Sequence, residues 1–331
     1  MNNPNNKQSK EFKQFNFIIM KTLVLSMISI AATVAAMTAC TSEGDPIDNI
    51  DNGQPVEIKA SAGIGEIITK TAGVITEGTN IENIEFIKTE KETLPTDWST
   101  ETLTPIDATI TSADGLKFSA PQYYNPIATI QSHLIGYHPK TEGGGTRNNN
   151  VVTYTITGQE DIMCTDIKSG NKKDNITKKL DFTFDHQLAQ YTFKIQAADQ
   201  QAVTTWGKIT SIKLIGQQTA ATLTLNTKAL AFTGDSNGEI TVGTDKTGFD
   251  TTDPVNNPIA FGSPIMVQPN QTDMKVKVTT EKNPEGIEVP LTVASVVSTS
   301  YIVTLTFKAT EIGATATIGE WLTGTGSGDV Q

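Results

Sequence analysis

The chain reads as all-β, in two tandem antiparallel β-sandwich domains, and three observations carry that reading. Thr takes roughly one position in seven and Val and Ile are plentiful, while Leu and Arg are scarce. Residues stiff at the β carbon suit pleated sheets better than helices. Apolar residues recur with a period of two along most of the chain, and no window sustains a period of 3.6. Turn residues punctuate these runs at intervals that suit consecutive strands pairing side by side.

The front of the chain is of a different kind. Met20-Lys21 opens an apolar run, Leu23 to Ala36, interrupted only by Ser26, Ser29 and Thr33 and closed by small residues before Cys40. That is the pattern of a secretory signal. The run is short for a bilayer span, and no stop-transfer pattern follows it. A Cys directly after Thr38-Ala39 also has the form of a bacterial lipobox, so Cys40 is the expected lipidation site. The acidic residues just after Cys40 also resemble the surface-export signal of Bacteroides-group lipoproteins, which implies a surface-exposed place on the cell outer membrane. Met1 to Ile19 is polar and lies upstream of a complete signal, as an over-extended start would. Residues 1–39 are therefore set aside as signal. Residues 40–54 are acidic and rich in Gly, Pro and Asn, and read as a tether.

Removing Lys7, Lys10, Lys13, Lys21 and Glu11 from 25 basic and 36 acidic side chains leaves 21 and 35, a net charge of −14. Such a chain has no electrostatic footprint for nucleic acid. Arg147 is its only arginine, so bidentate recognition of phosphate or carboxylate is nearly unavailable. Beyond Cys40 only Cys164 remains, which reads as a half-buried apolar residue.

The body then reads strand by strand. Val56, Ile58, Ala60, Ala62 and Ile64 share one face of the first. Ile84 and Phe86 mark a second, and Ile106, Ala108 and Ile110 a third, closed by Ser112-Ala113-Asp114-Gly115. Val152, Tyr154 and Ile156 alternate with Thr153, Thr155 and Thr157. Leu180, Phe182 and Phe184 alternate, and Tyr191, Phe193 and Ile195 do so in the opposite parity, so Asp185 to Ala189 must hold a bulge or turn. Leu223 and Leu225, then Met274, Val276 and Val278, then Tyr301, Val303, Leu305 and Phe307 complete the series. Asp235-Ser236-Asn237-Gly238 reads as a hairpin turn before Ile240. Length suggests two domains, residues 55–200 and 201–331, with the boundary inside Gln196 to Lys208 at the longest polar interruption.

Catalytic patterns are missing: there is no Gly-x-Ser-x-Gly, phosphate loop, dinucleotide fingerprint or His-Glu-x-x-His. His133 and His138, five apart in a strand, face opposite ways, and His186 stands alone. No enzyme activity, cofactor or metal is expected. Lys172-Lys173 and Lys178-Lys179 form one basic cluster, read as a solvated loop, and Gly143 to Asn148 reads as another loop around Arg147.

Several segments are similar to a known family. They are Pro55-Val56-Glu57-Ile58-Lys59-Ala60 with Ile67-Ile68-Thr69-Lys70-Thr71-Ala72; Tyr123-Tyr124-Asn125-Pro126 followed by Leu134-Ile135-Gly136-Tyr137-His138-Pro139; Phe182-x-Phe184-x-His186-x-Leu188-Ala189; and Ala316-Thr317-Ile318-Gly319-Glu320-Trp321. In order and spacing the chain resembles the fimbrillins of the Bacteroides group, in their minor-fimbria-like branch. That resemblance implies transthyretin-like sandwiches and a fimbrial (pilus) subunit, serving adhesion, whose partners are other pilus subunits. It also implies assembly by donor strand exchange: a protease clips after a basic residue near the front and removes the first strand, and a neighbour's strand replaces it. The matching basic residue is Lys70, where the family usually has Arg. After Trp321-Leu322 the tail holds one apolar residue among nine, poor material for a donor strand, which points to a tip or accessory position. The rival reading is a surface glycan-binding lipoprotein of a polysaccharide-uptake system, for which Trp98, Trp206 and Trp321 are the available sugar platforms.

Overall fold

A computed structural model of the 331-residue chain describes residues 54–64, 80–111, 113–140, 145–249 and 252–319. In chain order the first ten strands are β1 (Lys59–Ile64), β2 (Asn80–Lys91), β3 (Thr104–Thr111), β4 (Gly115–Phe118), β5 (Gln131–His138), β6 (Thr146–Asn148), β7 (Val151–Thr155), β8 (Met163–Cys164), β9 (Lys168–Gly170) and β10 (Lys179–His186). The second ten are β11 (Ala189–Ala197), β12 (Ile209–Gln217), β13 (Ala220–Thr224), β14 (Ala229–Thr233), β15 (Gly238–Gly243), β16 (Ile259–Val267), β17 (Lys275–Thr280), β18 (Ile287–Pro290), β19 (Ser300–Phe307) and β20 (Ile312–Ile318). The one α-helix among the described residues, α1 (Gln200–Trp206), occupies the polar interruption where the domain boundary is expected. Asp199 caps it by accepting from the Ala202 amide at 2.7 Å.

The strands form four sheets. The largest runs β1-β10-β8-β5-β2-β3-β4, with β9 also on β5. It curls until its edges meet: beyond β4 the Ile58 amide donates to Gln122 O (2.7 Å) and the Tyr124 amide to Val56 O (3.0 Å). Inside the curl lies a core of Ile58, Ile84, Phe86, Ile106, Leu134, Phe182 and Phe184 among others. Phe86 is its hub, meeting Phe118, Phe182 and Phe184 edge-on at centroid separations of 5.4, 4.8 and 5.9 Å. Gly136 lies opposite Phe86 on the neighbouring strand, and a Cβ there would come within 2.6 Å of the Phe86 ring. The ring fills the space that a side chain at 136 would need.

Two further sheets, β16-β11-β19-β20 and β15-β12-β17-β18, face each other around Tyr191, Phe193, Phe261, Val303 and Phe307. They join most closely at one corner, where Gly262 has φ +68° and a Cβ on it would fall 2.0 Å from Val242 O. Only glycine fits both the torsion and the gap. A fourth sheet, β14-β13-β7-β6, packs into the same core, which continues onto the outer face of the large sheet through Ile87, Ile135 and Tyr137.

The all-β reading holds, and several details differ from the sequence expectation. Two strand pairs are parallel, β1 with β10 and β11 with β19. The change of parity between Phe184 and Tyr191 marks a crossing from one sheet to another, with β10 in the large sheet and β11 in the second. The Asp235–Gly238 turn is likewise a crossing rather than a hairpin, because β14 and β15 belong to different sheets. Strand β11, which precedes the expected boundary, is hydrogen-bonded to β16 and β19 of the second half.

Candidate assembly groove

The first strand is bound differently from every other. β1 lies at the edge of the large sheet, parallel to β10, with Ala60 opposite Leu180, Ala62 opposite Phe182 and Ile64 opposite Phe184. Its alternation turns Ile58 fully into the small core, and Val56, Ala60, Ala62 and Ile64 pack against it half-buried. On its outward face Ser61 Oγ donates to the Asp181 carboxylate. Parallel pairing is slightly weaker per residue than antiparallel, and two of the five inward side chains, Ala60 and Ala62, are alanines. β1 therefore closes an aromatic groove with modest burial. Without it, Leu180, Phe182 and Phe184 and the outer amides and carbonyls of β10 would face water.

A polar plug shuts one end of that groove. Lys88 Nζ donates to Glu90 Oε1 (3.1 Å) and to Tyr123 O (3.3 Å). Asn125 Nδ2 donates to Glu90 Oε2 (2.7 Å) and Ser132 Oγ to Glu90 Oε1 (3.3 Å). Burial pushes the Glu90 carboxyl up, but the bonds from Asn125, Lys88 and Ser132 outweigh it and hold the group below its ordinary value. The plug fixes the Gln122–Tyr124 segment against which Val56–Ile58 rests.

The residues singled out from sequence are placed as follows. Cys40, Lys70 and Trp321 lie outside the described residues. Arg147 belongs to the short strand β6 rather than to a loop. Its Nε donates to Glu85 Oε1 (2.5 Å), and Tyr137 Oη donates to the same oxygen (2.8 Å). His133 is buried, with Nδ1 2.6 Å from Ser169 Oγ. His138 Nδ1 donates to Glu82 O, and His186 pairs with Asp161 at 2.7 Å. Cys164 is wholly buried, and burial pushes its thiol up to about 12. Trp98 and Trp206 are 0% and 6% exposed, so neither offers a face to a sugar. Sequence reasoning missed Glu85 and Lys228. The latter, beside Asp166 (2.5 Å) and Asp185 (3.1 Å), ties the fourth sheet to the first. A single charged residue inside a strand, as Glu85 is in β2, or just before one, as Lys228 is before β14, carries no local pattern that would have revealed it.

The class the fold defines is an all-β sandwich protein whose first strand covers an aromatic groove at a sheet edge. The sequence profile of the fimbrillin-like family matches residues 69–321, and the chain belongs to that family. Among solved structures, it is similar to a candidate cell adhesion protein of Bacteroides uniformis, at 19% identity and TM-score 0.55, over 84% of this chain and 100% of that one. A fimbrial protein of Bacteroides vulgatus matches at 14% identity and TM-score 0.52, over 81% and 100% of the two chains. A candidate cell adhesion protein of Bacteroides ovatus matches at 16% and 0.54, over 81% and 98%. At these identities the likeness is one of fold. No curated protein matches the chain.

Proposed function

We propose that this chain is a surface-exposed, lipid-anchored fimbrial subunit in a tip or accessory position, serving adhesion, with no catalytic role. Until it is processed, it is held to the outer membrane through Cys40. Its partners are other pilus subunits, and the N-terminal sandwich is the module that receives them. The observation that carries the reading is β1: an edge strand, parallel, covering an aromatic groove and preceded by the tether. A cut after Lys70 frees β1 from the body, and an extended strand from a neighbour replaces it, burying Phe182 and Phe184 and satisfying the edge of β10.

The tip or accessory position rests on the other end of the chain. β20 is hydrogen-bonded to β19 from Ile312 to Ile318, and only Ile312 of its side chains is buried, so it would bring little apolar surface to a partner's groove. Cysteines at Thr315 or Thr317, both exposed on β20, test this directly. In a polymer, cross-links from these positions into a neighbour's groove overturn the tip assignment; polymer without such cross-links supports it. Strand exchange is tested separately by a Lys-specific protease, which should cut first at Lys70 and leave a folded body able to bind a synthetic donor peptide.

A further inference from the structure

The topology of the large sheet gathers five chain segments at one end: the starts of β1, β5 and β10 and the ends of β2 and β9. Lys59 sits opposite Lys179, Lys91 opposite Gln131, and Ser132 opposite Gly170. The described chain begins there, where Glu57 bridges Tyr123. Eight large apolar residues are exposed among those described, and four of them, Leu94, Tyr123, Ile127 and Ile176, stand on the loops of this one end at 47, 46, 60 and 54% exposure. The loops adjoin. Asn125 is tied to Glu90 near the end of β2. A Cβ on Gly170 would lie 2.9 Å from both Asn175 and Tyr124 Oη, which sets the β9–β10 loop beside the Tyr123 segment. That loop also carries the exposed Lys173, Lys178 and Lys179 around Ile176.

We propose that this end is a membrane-contact face, its four apolar side chains entering the interfacial layer of a lipid surface while the lysines meet lipid phosphates. Singly scattered exposed apolar residues need no explanation; half of them gathered on one end do. Branched and aromatic side chains mixed with lysine suit the boundary between headgroups and acyl chains. Glu57, Glu92 and Asp174 share this end, so the apolar contacts contribute more than charge does. Position supplies the partner. Thirteen residues separate Cys40 from Gln54, and a chain of that length reaches at most about 45 Å. A lipid on Cys40 therefore holds this end of the body within about 45 Å of the bilayer. The choice of a membrane as partner rests on that anchor reading, but the contact itself needs no lipid on the protein.

The test uses a chain beginning at Thr41, which lacks the lipid and keeps intact the compact unit Gly53–Gln331 with both cores. It is mixed with vesicles of phosphatidylcholine containing about one quarter phosphatidylglycerol and sedimented. The unaltered chain pellets with the vesicles, and Ile127→Ser with Ile176→Ser lowers the bound fraction roughly fivefold or more. Lys173→Ser with Lys178→Ser gives a smaller loss, and high salt reproduces it. Val296→Ser with Val297→Ser, an exposed pair elsewhere, changes nothing. The proposal is overturned if the unaltered chain stays in the supernatant or if the isoleucine pair pellets undiminished. It is equally overturned if that pair instead dissolves a dimer seen without vesicles, which would make the face a contact between copies. Fatty-acid labelling at Cys40 is read separately, so failure of the anchor leaves the vesicle result standing.

Discussion

Arg147 Nε and Glu85 Oε1 lie 2.5 Å apart, and the same carboxylate oxygen also accepts from Tyr137 Oη. The only arginine of the chain thus joins β6 of the fourth sheet to β2 and β5 of the first, on the face where the larger core begins. With side chains 19% and 14% exposed, the pair is shielded enough that breaking it on one side costs more than its net worth. Arg147→Ala should destabilise the fold by about 2–4 kcal/mol. Glu85→Gln with Arg147→Met should recover much of that loss. Urea denaturation checks both, and a loss for Arg147→Ala below about 0.5 kcal/mol, the size of an exposed pair, would contradict the shielding.

Gly262 tolerates no side chain. With φ +68° and Val242 O at 2.0 Å from the built Cβ, Gly262→Ala combines torsional strain with a backbone clash. The expected cost is at least about 3 kcal/mol or failure to fold. Gly313 has nothing within 4 Å of its built Cβ, and Gly313→Ala should stay within about 0.5 kcal/mol. Thermal melting of the two variants side by side separates the cases.

Acid should weaken the fold through His133. Burial holds its imidazole below the ordinary value, against the pull of the Lys91 and Thr93 carbonyls. As pH falls below about 6.5, the unfolded chain takes up a proton that the folded imidazole refuses. Stability is therefore lost from that point down to the folded value, and is unaffected above it. The slope per group is at most about 1.4 kcal/mol per pH unit. His138, also held down by burial, acts with the same sign. His133→Asn should flatten the decline in melting temperature between neutral and mildly acid pH; an unchanged slope would remove His133 from the account.

Cys164 should be inert in the native protein. Its thiol is wholly buried and raised to about 12, so the thiolate that reacts with maleimide is scarcely present. Labelling should begin only on addition of denaturant, and rapid labelling of the native chain would show that the core around β8 opens.

Much of this architecture was legible. β1, β10, β17 and β19 alternate because each has one face on a core, and the two-residue period records that. β5 does not alternate: the large sheet is covered on both faces at this strand, so Ser132 to Tyr137 are all buried, and its segment shows no period to read. Sheet membership was invisible too, since the crossing between β10 and β11 leaves the same parity signature as a bulge. The parallel pairing of β1 depends on a partner some 120 residues away, as Ser61 and Asp181 illustrate. The groove itself needed both the strand and the aromatic floor beneath it. Only the strand was local.

One covalent thread runs from Cys40 through the tether and into β1 before the chain reaches β2. A single break anywhere between Ile64 and Asn80 puts Cys40 and the groove's own cover on one fragment and the rest of the body on the other. After such a break the two fragments are held together by non-covalent contacts: the pairing of β1 with β10, the backbone bonds of Val56 and Ile58 to Gln122 and Tyr124, and the inward side chains of β1. On the proposed anchor and strand exchange, tethering and receptivity are therefore opposite states of one segment: a molecule fastened through Cys40 would have its groove filled, and one with an open groove would have left its lipid behind.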